Sequence, residues 1–182
     1  LLGIATPSAP QRNATISGSV RSAINQYQNT TGTTKSSVKG QLEPIRDAYI
    51  AVGANLNQRL TLENNYLTQL RVLRACEERK RIASANTLNK INGQVAGVEG
   101  LEDRVANNQS TIDQYNFSLR ELDTLTEERV IANLQHYQNL AANYSTALQL
   151  KQNTANELTT ATNTLAGLNN EVSAQIEQCN RN

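Results

Sequence analysis

The sequence is poor in the residues from which compact globular cores and β-sheets are built. Its 182 residues include no Trp, no Met, one Phe and one His, and only 4% are aromatic. Because Trp, Tyr and Phe supply much of the buried area of compact domains, their scarcity argues against a broad core. Nine Gly and three Pro are too few for the many turns of an all-β fold. The composition therefore favours helices.

The chain also lacks an excess of charge of either sign and long apolar runs. Its net charge of +1 excludes the strongly basic footprint that is typical of nucleic-acid-binding proteins. No apolar run approaches the roughly 20 residues that cross a bilayer. We therefore expect neither a nucleic acid nor a membrane among its partners. Since Met is absent throughout, we also expect residue 1 to be a product of processing.

Uncharged polar residues fill the positions that charged residues usually occupy. The sequence contains 23 Asn, 15 Gln and 18 Thr, and residues 145–170 carry only Lys151 and Glu157 as charges. Such a surface has little self-repulsion and many hydrogen-bonding groups, which favours packing against neighbouring chains over a dilute monomeric state.

The first 40 residues differ from the rest and are predicted to form an extended N-terminal segment with a short helix and a linker. Pro7 and Pro10 favour an extended start. A helix of about three turns follows, because Val20, Ile24 and Tyr27 recur at spacings of four and three. Residues 29–37 (NTTGTTKSS) have the composition of a linker.

Residues 41–182 are predicted to form a bundle of long helices. Arg59 and Glu63 occupy two positions of the first apolar seam, and the charged stretch Cys76–Arg81 is predicted to be a solvated turn. The apolar members of this seam are Ile45, Tyr49, Val52, Leu56, Tyr66, Leu70 and Leu73.

A heptad series follows, in which apolar residues are separated by seven positions: Ile91, Val98, Val105, Ile112 and Leu119. Gly93, Gly97 and Gly100 lie within it, and each weakens an isolated helix by about 1 kcal/mol relative to Ala. They indicate either a bend or the close approach of another helix. If the helix breaks, Asn92-Gly93 is the expected place.

The heptad pattern is longest between Val130 and Cys179. One register contains Val130, Tyr137, Tyr144, Leu158, Leu165 and Val172, and its companion contains Leu134, Leu148 and Ile176. A period of 3.5 residues favours a coiled-coil-like helix about 75 Å long. A long amphipathic helix in a simple bundle would share nearly all of this pattern. We expect an all-α fold, a long antiparallel coiled-coil-like hairpin or bundle.

Cys76 and Cys179 leave three alternatives open: a disulfide, two buried thiols or bonds to other chains. If residues 76–123 form one helix that pairs antiparallel with 130–179, the two cysteines face each other and a disulfide would clamp the hairpin. The turn would lie at Thr124–Glu127, which has the spacing of a capping box. A bundle that turns near residues 86–92 would instead separate the cysteines. In the hairpin, the apolar face of residues 41–75 must fold back or meet another chain.

No motif indicates catalysis, a cofactor or a small-molecule substrate. His136, the only histidine, has no nucleophile or carboxylate placed beside it by a recognisable motif, and we expect a partly exposed side chain. Weak calcium binding near the turn is conceivable through Glu121, Asp123, Glu127 and Glu128, although solvated helix ends explain these residues better. The basic residues between 71 and 81 are expected to pair locally with Glu77 and Glu78.

Several segments carry a family resemblance. They are Leu73–Arg79 (LRACEER), Ile91–Val95 (INGQV), Leu119–Leu122 (LREL) and Glu127–Arg129 (EER), which leads into the Tyr137 and Tyr144 heptads. Together they resemble the matrix proteins of ciliate secretory granules, the trichocyst and mucocyst contents. The resemblance implies a chain cut from a secreted precursor and packed into a crystalline granule core that expands on exocytosis, with calcium as the trigger. That family is acidic, whereas this chain carries a net charge of +1, which favours a mixed lattice with acidic partners.

We therefore expect a non-enzymatic structural protein, secreted or stored in a granule lumen. It would assemble with itself or with related helical matrix chains into an ordered matrix or filament. The alternative is a secreted helical binding module, either an adhesin or a lipid carrier.

Overall fold

The computed structural model describes residues 15–82 and 84–182, and every regular element in these residues is an α-helix. The predicted all-α fold class is therefore confirmed. The expected extended start around Pro7 and Pro10 lies outside the described residues. The helices are α1 (Gly18–Thr31), α2 (Lys35–Arg79), α3 (Ala85–Thr124), α4 (Glu127–Ala132), α5 (Leu134–Ala141) and α6 (Tyr144–Arg181).

Helix α1 forms where the short N-terminal helix was expected. It ends at Gly32, whose φ of +69° is a left-handed conformation that glycine adopts without steric cost. α2 begins only three residues later with a capping box, in which the Thr34 and Ser37 amides each donate to the other residue's hydroxyl at 2.9 and 3.1 Å. The segment predicted as a linker is therefore mostly helical.

The first long helix ends at Arg79, inside the stretch 76–81 that was predicted to be a turn, so it continues about four residues further than expected. The Ile82 amide donates to the Glu77 carbonyl and the Arg81 amide to the Glu78 carbonyl. These two bonds form a Schellman motif, in which Arg81 takes the left-handed position with a φ of 57°. The break considered at Asn92-Gly93 does not occur, because both residues lie inside α3. The single helix over 76–123 that the hairpin topology required does not form, since Cys76 belongs to α2.

The chain forms two compact units, whose bounds differ from the expected boundary at residue 40. Among the described residues, unit 1 contains 15–51 and 109–150, and unit 2 contains 52–82, 84–108 and 151–182. In unit 1, α1 contacts α4, and α2 runs antiparallel to α3, since Lys35 bonds to the Leu125 carbonyl and Lys39 to Asp123.

Unit 2 is a bundle of three helical segments, from α2, α3 and α6. The α2 and α6 segments are parallel, because Asn55 bonds to Thr154 near one end and Cys76 to Cys179 near the other. The α3 segment is antiparallel to α6: Arg104 pairs with Glu157, and the earlier Lys90 pairs with the later Glu171. The apolar face of residues 41–75 thus folds back within the chain.

The predicted continuous helix over 130–179 is interrupted twice. Asn133 ends α4, and its side-chain amide donates to the Arg129 carbonyl at 2.7 Å. Ala142 and Asn143 separate α5 from α6, and the Asn143 side chain donates to the Tyr115 hydroxyl at 3.0 Å. Asparagine side chains that bond to nearby polar groups compete with the helical backbone pattern, which explains both interruptions.

Each unit has its own apolar core. Unit 1 buries Ile45, Tyr115, Leu122, Val130 and Tyr137 together with other aliphatic residues of α2 to α6. Unit 2 contains two clusters, one around Leu70, Val172 and the disulfide and a smaller one around Val52, Leu56 and Leu101. In the described part of the chain, no helix has the length and apolarity needed to cross a membrane.

Candidate functional site

Of the three alternatives left open for Cys76 and Cys179, the structure contains the disulfide. The two sulfurs are 2.08 Å apart, and the bond joins residues separated by 103 positions. Both cysteines are buried in the core that contains Leu73 and Val172. The bond connects the ends of two parallel helical segments, not the open end of an antiparallel hairpin.

The turn beside the disulfide is organised by Glu77. Its carboxylate accepts a bond from the Ser84 amide at 2.8 Å and one from the Thr87 hydroxyl at 2.6 Å. Glu77 and Thr87 are both buried. The expectation that residues 76–81 form a solvated charged turn is therefore wrong for Glu77, which satisfies polar groups at the start of α3.

A polar layer crosses the three helical segments of unit 2. Arg59 and Glu63, the charged seam positions of the sequence, lie within 3.7 Å of each other. Arg59 and Arg104 both pair with Glu157, at 3.6 and 2.9 Å, and the Gln94 side chain donates to Glu63. Since a shifted register would separate these charges, the layer favours one alignment of the helices.

The heptad residues fall into three groups. Ile91, Val105, Leu134 and Ile176 are partly buried against the cores, and Leu158 is half-buried. Tyr144 and Leu148 are instead 49% and 41% exposed. The buried residues are Val98, Ile112, Leu119, Val130, Tyr137, Leu165 and Val172.

A second register on α3 was missed. Leu101, Tyr115 and Leu122 are buried, and each follows a predicted heptad residue by three positions. Their spacing of seven and fourteen residues was the signal that could have identified them. On the C-terminal part, Ala147 and Ala161 are buried although they lie outside both predicted registers. The interruption at Asn143 accompanies this change of register.

His136 is buried, so the expectation of a partly exposed side chain is wrong. Its Nε2 atom lies 3.3 Å from Ser118 Oγ and 4.0 Å from Glu121 Oε1. In a catalytic triad the acid would hold the other ring nitrogen while the hydroxyl faces Nε2. Because the hydroxyl and the carboxylate approach the same nitrogen and all three side chains are buried, this cluster has the geometry of a structural polar contact.

A second polar group in unit 1 centres on Tyr115. Its hydroxyl donates to the Leu140 carbonyl at 2.7 Å and accepts from Asn143, and its ring lies 5.7 Å from that of Tyr49. Burial raises the pKa of Tyr115 to about 12, although the Asn143 hydrogen bond opposes this. Tyr115 thus holds the junction of α5 and α6 against α3.

The carboxylates considered for calcium do not converge. Glu127 accepts from the Lys35 amide at 2.6 Å, Glu128 pairs with Arg21, and Asp123 pairs with Lys39. Over residues 15–82 and 84–182, no group of three His, Cys, Asp or Glu side chains is arranged to hold a metal ion. The predicted Thr124–Glu127 capping box is also wrong, since Thr126 caps α4.

No known protein-family model matches this chain, and comparisons with curated proteins and with solved structures give no match either.

Proposed function

We propose that the chain is a structural protein that assembles with copies of itself, or with related helical chains, into an ordered secretory-granule or extracellular matrix. The observation that carries this proposal is the outer face at the start of α6. Tyr144 and Leu148 are one helical turn apart there and are 49% and 41% exposed. Both belong to the heptad pattern, so apolar positions that the chain does not use internally are available to a neighbouring helix.

The surface around Tyr144 supports the same function. Tyr144 lines an open groove of about 600 Å³ together with Gly40, Pro44 and the small residues Ala141 and Ala142. The groove lies within unit 1, and most of its lining is apolar or lacks a large side chain. Such a surface suits the flank of another helix better than a polar substrate.

The disulfide supports a secreted or granule-luminal setting. Disulfides persist in oxidising compartments and are rare where glutathione keeps thiols reduced. The buried Cys76–Cys179 bond would fix the end of unit 2 in a protein that must keep its shape in a matrix. A ciliate secretory granule, whose matrix proteins the sequence resembles, is one setting of this kind.

The proposal is tested by electron microscopy of the oxidised, concentrated protein. Ordered filaments or arrays are expected. Uniform single particles at every concentration would contradict assembly, and clearance of liposomes by such particles would favour the alternative of a secreted lipid carrier. The matched variant Tyr144→Gln/Leu148→Gln should retain its helical circular dichroism while losing ordered assemblies. If this variant assembles as the native chain does, the start of α6 is not an assembly surface.

A further inference from the structure

The end of unit 2 carries cations that the described residues do not neutralise. Only Arg74 forms the expected local pair, with Glu78 at 3.0 Å. The other nearby acid, Glu77, is buried and bonded to Ser84 and Thr87. In the described part of the chain, no ion pair or hydrogen bond engages the exposed side chains of the remaining cations, which are Arg71, Arg79, Lys80 and Arg81.

Two apolar side chains lie in the same stretch. Val72 is 45% exposed and Ile82 is 50% exposed. We call the surface formed by these two residues and the four free cations the basic end. A surface that combines exposed aliphatic groups with uncompensated charge is typical of a protein contact.

The opposite charge is found on the outer face of α3 in the same unit. Glu99, Glu102 and Asp103 are exposed, and their spacing of three and four residues places them on one face of the helix. Within residues 15–82 and 84–182, their carboxylates form no ion pair. We call these three residues the acidic face.

Glycines border the acidic face without serving the packing of the chain. A Cβ atom added at Gly93, Gly97 or Gly100 would meet nothing within 4 Å. All three glycines lie inside α3, so the helix does not break there, and in the described part of the chain no other helix comes close enough to require the absence of a side chain. Glycines on a helix surface allow a second chain to come close.

The two charged surfaces cannot neutralise each other within one copy. Gln94 of α3 bonds to Glu63 of the antiparallel α2. Arg71 lies eight residues beyond Glu63 and Glu99 lies five residues beyond Gln94 in the opposite direction, which together correspond to about 20 Å along the helices. That distance exceeds the reach of an Arg or Lys side chain. We propose that the basic end of one copy docks on the acidic face of a second copy, which deepens the assembly function proposed above and rests on it.

Because the contact joins two different surfaces, it is a head-to-tail contact. Each docked pair of copies still has one unoccupied basic end and one unoccupied acidic face. Contacts of this kind grow into chains or close into rings. Exposed charge pairs are screened by salt, with a Debye length of about 8 Å at 0.15 M. Assembly should therefore weaken as the salt concentration rises.

The test uses charge reversal and sedimentation velocity of the full chain at low ionic strength. Variant A is Arg71→Glu/Arg79→Glu/Lys80→Glu and leaves Arg81 unchanged, since its φ of 57° makes substitution there hard to interpret. Variant B is Glu99→Lys/Glu102→Lys/Asp103→Lys. The control, Arg21→Glu/Lys39→Glu/Arg120→Glu, gives the same net charge as A but changes exposed cations of unit 1. Circular dichroism checks that each variant is folded.

We expect A alone and B alone to lose at least tenfold in association constant, whereas the control associates like the native chain. An equimolar mixture of A and B should recover association, because each reversed surface then meets its complement. If the native chain associates and A and B do so equally, the docking proposal fails and the assembly function stands. If the native chain remains monomeric, the docking proposal and the assembly function both fail. If that monomer binds anionic vesicles and variant A does not, the basic end is a membrane-binding surface.

Discussion

The Glu77 carboxylate accepts a 2.6 Å hydrogen bond from the Thr87 hydroxyl, and both side chains are buried. The same carboxylate accepts from the Ser84 amide. Glu77 therefore ties the last turn of α2 to the first turn of α3. It is also the acid that would otherwise neutralise the cations around it, so this contact leaves the basic end charged.

Replacing Glu77 should destabilise unit 2. Glu77→Ala leaves a partly buried amide and a buried hydroxyl without their acceptor, which should lower the free energy of unfolding by about 2–4 kcal/mol. Glu77→Gln keeps one acceptor oxygen and should lose less. The control is Glu78→Ala, which removes an exposed ion pair worth at most about 1 kcal/mol. Urea denaturation measures all three, and equal effects at positions 77 and 78 would contradict the role of Glu77.

The disulfide should be a major source of stability. Because it closes a loop of 103 residues, Cys76→Ser/Cys179→Ser should lower the free energy of unfolding by about 4 kcal/mol. Urea denaturation of the oxidised protein and of this variant gives the difference. Mass spectrometry without reduction should find two fewer hydrogens than the free-thiol mass and no alkylation. Two alkylatable thiols in the native protein would refute the bond.

Alkaline pH should destabilise the protein through Tyr115. Its pKa in the folded state, about 12, lies above the ordinary value of 10.0. The folded state thus holds this proton more tightly than the unfolded state does. The resulting contribution is fully present below pH 10 and is lost as the pH rises towards about 12, up to roughly 3 kcal/mol.

The variant that tests this is Tyr115→Phe, with the exposed Tyr27→Phe as its control. Urea denaturation at a series of alkaline pH values should show a weaker loss of stability in Tyr115→Phe than in the native chain. It should show an unchanged loss in Tyr27→Phe. A loss as steep in Tyr115→Phe as in the native protein would contradict the assignment.

Replacing glycines of α3 with alanine should stabilise the single chain and weaken its assembly. Gly97→Ala and Gly100→Ala each add a methyl group where nothing lies within 4 Å, so each should stabilise the helix by about 0.5–1 kcal/mol. Thermal unfolding measures this gain. If these glycines admit a second copy, the double variant should also associate more weakly. Greater stability with unchanged association would mean that no chain packs against them.

The sequence predicted the parts of the fold that depend on local patterns. The helical class follows from the heptads, and α1 follows from the spacing of Val20, Ile24 and Tyr27. The disulfide was one of three alternatives. A turn was expected at residues 76–81, but its place after Arg79 could not be predicted, because the left-handed position is occupied by Arg81 and not by the usual Gly or Asn.

The remaining differences arise from contacts between segments far apart in sequence. Asn143 interrupts the last helical stretch by bonding to Tyr115, 28 residues earlier. The heptad pattern contains no information about that hydrogen bond, so it predicted that the seam continues through Tyr144 and Leu148. Likewise, Arg59 and Glu63 were recognised as charged seam positions. Their partners, Glu157 and Gln94, could not be identified, because the pairing depends on the register of three helices.

The most direct test of assembly is the mass of the oxidised protein in solution, measured by light scattering over a range of micromolar concentrations. We expect an average mass well above the 20.0 kDa of a single chain, rising with concentration and falling on addition of salt. A mass of 20.0 kDa at every concentration and every salt level would contradict it.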